Sequence, residues 1–218
     1  MHKPQCSAGR GDNGRLSTIG PLMRQRNMTR DHLAALASAF TAHALAWPDE
    51  AEEARRFIAL LREGKHAFLR ERLDGHFTAS ALLLSADGRR TLLTHHRKLD
   101  RWLQPGGHAD GDIDLARVAL TEAAEESGLA GLRVEGGIFD LDRHWIPERK
   151  GVPGHWHHDV RYVVRAGTDE RYVVGEESHD LAWLEVDLVA TDETMDPSLR
   201  RMARKWLACR ASGEGERQ

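Results

Sequence analysis

The chain has 218 residues, 40% of them hydrophobic, enough for one domain of ordinary size with an appended segment. A formal charge of −3 gives no support to a general nucleic-acid binder, and no apolar run approaches the roughly 18 residues that span a bilayer. Thirteen histidines are many for this length, while the two cysteines, Cys6 and Cys209, sit near opposite ends without metal-ligand or redox spacing, which suits a reducing cytoplasm.

Residues 1–28 are rich in Gly, Ser, Pro and Arg, show no apolar period, and read as a disordered leader without the pattern of a secretory signal. From Thr29 the pattern turns helical: Leu33, Leu36, Ala37, Phe40 and Ala44 recur at three- and four-residue spacing and form one stripe. A second helix starts at Pro48, with acids in its first turn and Gly64 near its end. Residues 29–72 are thus expected to be a helical extension docked on the main domain.

After Arg72 the period shortens. "HFTASALLLSADGRRTLLTHH" holds two apolar runs around Ala-Asp-Gly and predicts a hairpin. Beyond the glycine loop at Gly106-Gly107 and a helix over 113–127, the stretches "LRVEGGIFDLDRHWI", "DVRYVVRAG", "RYVVG" and "LAWLEV" read as strands, and "DPSLRRMARKWLACR" as a terminal helix. This order predicts an α/β/α sandwich around a mixed sheet. The main domain is placed at 73–210, with a flexible tail at 211–218.

The helix over 113–127 carries an unusual charge pattern. At about 100° per residue, Leu115, Val118 and Ala119 form one stripe, and Glu122 and Glu126 continue it, with Glu125 at the border. Burying an unpaired carboxylate is costly. Glu122 and Glu126 also repel each other as an i, i+4 pair by roughly 0.2–0.5 kcal/mol. The negative end of the helix dipole adds about 0.3–1 kcal/mol. A divalent cation offsets all three terms, because clustered carboxylate oxygens are what Mg²⁺ and Mn²⁺ prefer. A solvated acidic helix end is the alternative. Gly106 and Gly107 favour the site, since they let backbone approach a ligand closely.

These residues resemble the Nudix hydrolases, whose box reads G-x5-E-x7-R-E-U-x-E-E-x-G-U, with U a bulky aliphatic residue. Anchored on Gly128-Leu129, the register places Gly107 first and Glu122, Glu125 and Glu126 in the acidic segment. Two positions depart: Ile113 stands for the first Glu and Thr121 for the Arg, with Asp112 an alternative for the former. "WLQPGGH" and "GEESHDLAWLEV" extend the likeness. The resemblance implies a Nudix α/β/α sandwich that hydrolyses a diphosphate linkage with Mg²⁺ or Mn²⁺. It implies metal ligation by the Gly106 carbonyl, Glu122, Glu126 and Glu125, with Glu177 a further ligand or general base. The carboxylates Glu122, Glu125, Glu126 and Glu177 make up the catalytic set.

For substrate contact, His95, Arg97, Lys98 and Arg101 stand just upstream of the glycine loop, and His158 lies in an aromatic-rich stretch. His155 and His157 have the spacing of a zinc pair, but the sequence offers no convincing set of further ligands. The expected partner is a small-molecule diphosphate, with no stable nucleic-acid partner, no membrane, and a homodimer left open. A nucleotide-sensing or protein-binding module of the same fold is the competing reading.

Overall fold

The computed structural model describes residues 21–176 and 178–215. The first helix, α1 (Pro21–Ala46), opens eight residues before the expected start at Thr29. Pro21 is its first residue, where a missing N–H costs nothing, whereas the apolar stripe that suggests Thr29 begins only at Leu33. The remainder of the expected leader, residues 1–20, lies outside the described residues. A 3-10 turn at Pro48–Glu50 leads into α2 (Ala51–Leu61), and a second turn spans Gly64–Phe68.

The hairpin forms as expected from β1 (Gly75–Leu84) and β2 (Arg90–His96). After it come β3 (Arg101–Leu103), β4 (Gly106–His108), α3 (Leu115–Ser127), β5 (Arg133–Ile146), β6 (His155–Arg165), β7 (Ser178–Glu185), α4 (Val186–Thr191) and α5 (Pro197–Gly215). The last helix runs on past residue 210 into the segment expected to be a tail. The expected strand over 171–175 is absent. Val173 and Val174 are exposed there, so the β-branched residues that suggest a strand have no sheet to pack on. Among the described residues no helix is long and apolar enough to cross a membrane.

The seven strands make one mixed sheet in the order β3-β2-β1-β6-β5, with β7 paired to β2 and β4 to β1. The β1–β6 pair is parallel and the others are antiparallel. One long side of β1 lies against β6. Its other side is shared between β2 at the turn and β4 at Thr78–Ser80.

Alternation along β1 sorts the two faces. Phe77 and Ala79 point to a core shared with Leu115, Val118 and Ala119 of α3 and with Phe40, Phe57 and Phe68 of the N-terminal segment. The ring centroids of Phe40 in α1 and Phe57 in α2 lie 6.1 and 6.0 Å from that of Phe77, so the first two helices dock through an aromatic cluster. Leu82 and Leu84 point the other way, against Val186 and Val189 of α4 and Leu199, Met202 and Ala203 of α5. The result is the α/β/α sandwich.

At the C-terminus of α3, Gly128 adopts a left-handed φ of 68° and donates its N–H to Ala124 O. A Cβ there would also meet the Val173 Cβ at 3.1 Å. Gly128→Ala should therefore cost about 1–2 kcal/mol, read as a melting temperature several degrees lower. An unchanged melt would contradict this account of the helix end.

Candidate active site

The glycine loop enters as an edge of the sheet. Ala81 N–H donates to Pro105 O (2.9 Å) and Ala109 N–H to Phe77 O (3.4 Å). Gly106 falls out of phase with those bonds, so its N–H and C=O turn away from β1. Its N–H donates to Glu126 Oε1 at 2.9 Å. A Cβ on Gly106 would come within 2.3 Å of Ser80 Cβ, and one on Gly107 within 2.6–2.7 Å of the Glu122 carboxylate atoms. Gly106 is thus required by close approach to β1 and not by backbone angle, whereas a side chain at 107 would have to push the Glu122 carboxylate aside. Glu122 and Glu126 are half-buried beside them, while Leu115, Val118, Ala119, Ala123 and Ser127 form the buried stripe of α3.

Loop 109–114 has its own bracing. Asp114 caps α3 by accepting from Arg117 N–H at 3.1 Å. Asp112 accepts from Asp114 N–H (3.0 Å) and forms an ion pair with Arg117 (2.7 Å), so it ties the loop to the first helical turn. Arg70, just after the second 3-10 turn, hydrogen-bonds Asp110 through Nε at 2.6 Å. That bond raises the Arg70 pKa, and the nearby Glu122 charge acts in the same direction. Arg70 is a basic group of this neighbourhood that sequence reasoning missed, because it comes from the extension rather than from the motif.

Other expected residues are spread more widely. Glu125 is exposed and lines a shallow outer hollow with Leu120, Thr121, Ala124 and Leu129, apart from the face that Glu122 presents to Gly107. Glu177 lies outside the described residues. His95 stacks on Trp102 (centroids 5.1 Å apart) and pairs with Asp100 at 3.1 Å. Arg97 donates to Ser178 O at 2.9 Å, Lys98 N–H donates to His96 Nδ1 at 3.2 Å, and exposed Arg101 lies 3.7 Å from Asp196. These four cluster at the β2–β3 turn and the start of β7. His158 does not join them. It alternates onto the core face, where its ring sits edge-on to Phe57 (5.2 Å) beneath the N-terminal helices, and burial pushes its imidazole down to about 4.

The sheet also carries a polar stripe that sequence reasoning does not assemble. His76, Thr78 and Ser80 of β1 lie in register with His157, Asp159 and Arg161 of β6. Asp159 is buried and accepts from Thr78 Oγ1 (3.0 Å), Ser80 Oγ (2.7 Å) and Arg161 Nε (2.8 Å). Arg161 reaches on to Asp140 and Asp142, which Arg201 of α5 also holds. Its signal is a set of polar residues at period two, H-x-T-x-S and H-x-H-x-D-x-R, within otherwise apolar strands. At the far end of the stripe, burial pushes the His157 imidazole down to about 2 and that of His108 to about 4.

The family model for the NUDIX domain matches residues 75–206, more than half of the chain. No curated protein matches the sequence. Among solved structures, a C. elegans Ap4A hydrolase binary complex is 18% identical, with a TM-score of 0.49, covering 62% of this chain and 98% of that one. A NUDIX-family hydrolase from Clostridium perfringens is 19% identical, TM-score 0.49, covering 62% and 97%. The M. smegmatis Nudix hydrolase RenU is 22% identical, TM-score 0.47, covering 63% and 88%. At these scores the structural likeness carries nothing about substrate. On the domain match, which takes in the glycine pair, the carboxylate helix and the mixed sheet, the chain belongs to the NUDIX family of pyrophosphohydrolases.

Proposed function

We propose that the protein hydrolyses the diphosphate linkage of a nucleoside diphosphate joined to a further group X, in a reaction that depends on Mg²⁺ or Mn²⁺. The observation that carries this reading is the junction itself: Glu122 against the Gly107 α-carbon and Glu126 on the Gly106 N–H. The donors gathered there are carboxylate and backbone oxygens, which fit a hard divalent cation and not a soft one.

Glu122, Glu126 and the Gly106 carbonyl would hold the ion, with Glu125 a further ligand or water-orienting group. Glu177 serves as the further ligand or general base that the family pattern implies. The ion supplies neutralisation of phosphate charge and a lowered pKa for the attacking water. The chain's own work is positioning and electrostatic stabilisation. Gly107 keeps the Glu122 carboxylate at the loop, and Asp112 with Arg117 braces that loop in place of the missing box residues, which favours a hydrolase over a sensing module. His95, Arg97, Lys98 and Arg101 form the basic side from which a phosphate-bearing substrate is gripped. With a net charge of −3, the substrate is taken to be a small molecule met in the cytoplasm, not a nucleic acid.

The test is a phosphate-release screen over mixed nucleoside diphosphate derivatives, with product identification, run with and without Mg²⁺. Metal-dependent release of a monophosphate supports the reading, and no metal-dependent turnover across the panel counts against it. Gly107→Ala offers a sharper check. Its Cβ must displace the Glu122 carboxylate, so turnover should fall about tenfold to 100-fold, as ångström-scale misplacement does. Unchanged turnover in this variant would mean that Glu122 need not be held where it is.

A further inference from the structure

His76, His108 and His157 stand on three different strands, yet each offers a ring nitrogen within 4.8 Å of the others. Strand register brings them together: His76 pairs with His157 across β1–β6, and Thr78 pairs with His108 across β1–β4. His155 lies beside this trio, its Nε2 hydrogen-bonded to His157 Nε2 at 3.3 Å. The ring centroid of His76 lies 5.0–5.1 Å from those of His108, His155 and His157.

The hydrogen bonds behind these rings set which nitrogen faces inward. His76 Nδ1 donates to Arg72 O (3.2 Å) and His155 Nδ1 donates to Pro153 O (2.8 Å). Each ring is thereby left with an unprotonated Nε2. That is the outer-sphere arrangement of metal-binding histidines, in which a backbone carbonyl fixes the tautomer. His76 is 1% exposed, and its Nε2 is buried without any hydrogen-bond partner. A buried lone pair with nothing to accept from is a cost that proteins rarely leave standing.

Size fits as well. Two nitrogens bound at 2.0–2.1 Å to a tetrahedral ion stand roughly 3.3–3.4 Å apart, which is the His155–His157 separation. The wider spacings close by rotation of the imidazole rings, whose terminal torsion is broad.

We propose that His76, His108 and His157, with His155 as fourth ligand, bind a divalent transition ion of the Zn²⁺ class at a site separate from the glycine–carboxylate junction. An all-imidazole set selects Zn²⁺ and its neighbours over Mg²⁺, which wants oxygen. With four nitrogens no open coordination position remains, so the ion acts as a clamp on β1, β4 and β6. His108 is two residues from Gly106 on β4, so the clamp fixes the strand that presents the glycine pair. The proposal stands whether or not the carboxylate site hydrolyses diphosphates.

The experiment uses the full-length protein stripped of metal with a chelator. Stoichiometric Co²⁺ should give the intense visible absorption of a tetrahedral nitrogen site, and one equivalent of Zn²⁺ should abolish it. Zn²⁺ should also raise the melting temperature, whereas Mg²⁺ should leave the Co²⁺ band untouched. His76→Ala and His157→Ala should weaken Co²⁺ and Zn²⁺ binding by roughly 100-fold or more. His108→Ala, at a half-buried and more tolerant position, should do the same if His76→Ala does not fold. Glu122→Gln and Glu126→Gln should keep the band. Absence of the band in the wild type, or its survival in His157→Ala and His108→Ala, would overturn the proposal and leave a hydrogen-bonded imidazole cluster. Loss of the band in the Glu→Gln variants would overturn it too, by moving the ion to the carboxylates.

Discussion

Glu122→Gln and Glu126→Gln should each lower turnover by about 10²- to 10³-fold, a loss of several kcal/mol in transition-state stabilisation, while the metal-free protein melts no lower than wild type. Both carboxylates sit in the last turns of α3, where the helix dipole disfavours negative charge, and they repel each other across one turn. Removing one charge relieves both terms. The amide oxygen of a glutamine at 126 still accepts the Gly106 N–H. At 122 the neutral side chain gives up its attraction to Arg70, a weak term because Arg70 is largely exposed and keeps its bond to Asp110. Added Mg²⁺ should raise the wild-type melting temperature by linkage and do so less in each variant. Glu125→Gln should be milder, as its exposed position on the outer face of α3 implies. Full activity with an intact metal shift in both variants would return these residues to a solvated helix end.

The largest stability effect should come from elsewhere. Arg161→Met should cost about 3–5 kcal/mol, a drop in melting temperature on the order of 10 °C. Arg161 is 2% exposed and meets Asp159 (2.8 Å), Asp142 (3.2 Å), Asp140 (3.3 Å) and Ser198 Oγ (3.1 Å). Methionine fills similar space but leaves buried Asp140 and Asp159 without their central cation. Arg161→Lys should rescue little, because a single ammonium cannot reproduce a fork that reaches three carboxylates. Arg201 shares Asp140 and Asp142 but is far more exposed, so Arg201→Ala should be milder.

The same cluster sets an acid limit. Burial alone would raise Asp142, yet His144, Arg161 and Arg201 more than reverse that and hold its pKa well below the usual carboxylate range. A depressed folded pKa contributes stability above the ordinary carboxylate value and loses it as pH falls towards the folded one. Wild type should therefore lose stability below about pH 4, where an unfolded Asp begins to take up protons. A urea titration of Arg161→Met giving wild-type stability would refute this account of the buried network.

Much of the site is legible in local pattern, because its parts are close in sequence. Gly106, Gly107, Glu122 and Glu126 belong to one loop–helix unit, and their meeting requires only that the helix fold back on the strand before it. The hairpin is legible for the same reason: Ala86-Asp87-Gly88 announces the turn, and Gly88 adopts a φ of 71°. Sequence and structure part where a local signal has a non-local cause. Tyr172, Val173 and Val174 have strand-like composition, but Val173 N–H bonds to Ser127 O at the end of α3, and the segment never enters the sheet. α4 has six residues, too few to display a helical period. His158 has polar neighbours in sequence, although parity along β6 turns it to the opposite face from His157 and Asp159. The histidine cluster is the least legible of all. Its members lie on β1, β4 and β6, and only the β1 register with both partners unites them.

The most direct measurement is monophosphate release from a nucleoside diphosphate derivative as Mg²⁺ is titrated, for wild type beside Glu126→Gln. Wild-type turnover should rise with Mg²⁺ and vanish on chelation, and the variant's rate should stay about 10²-fold or more lower at saturating metal. Turnover that is indifferent to Mg²⁺, or equal in the two proteins, would contradict metal-dependent hydrolysis at these carboxylates.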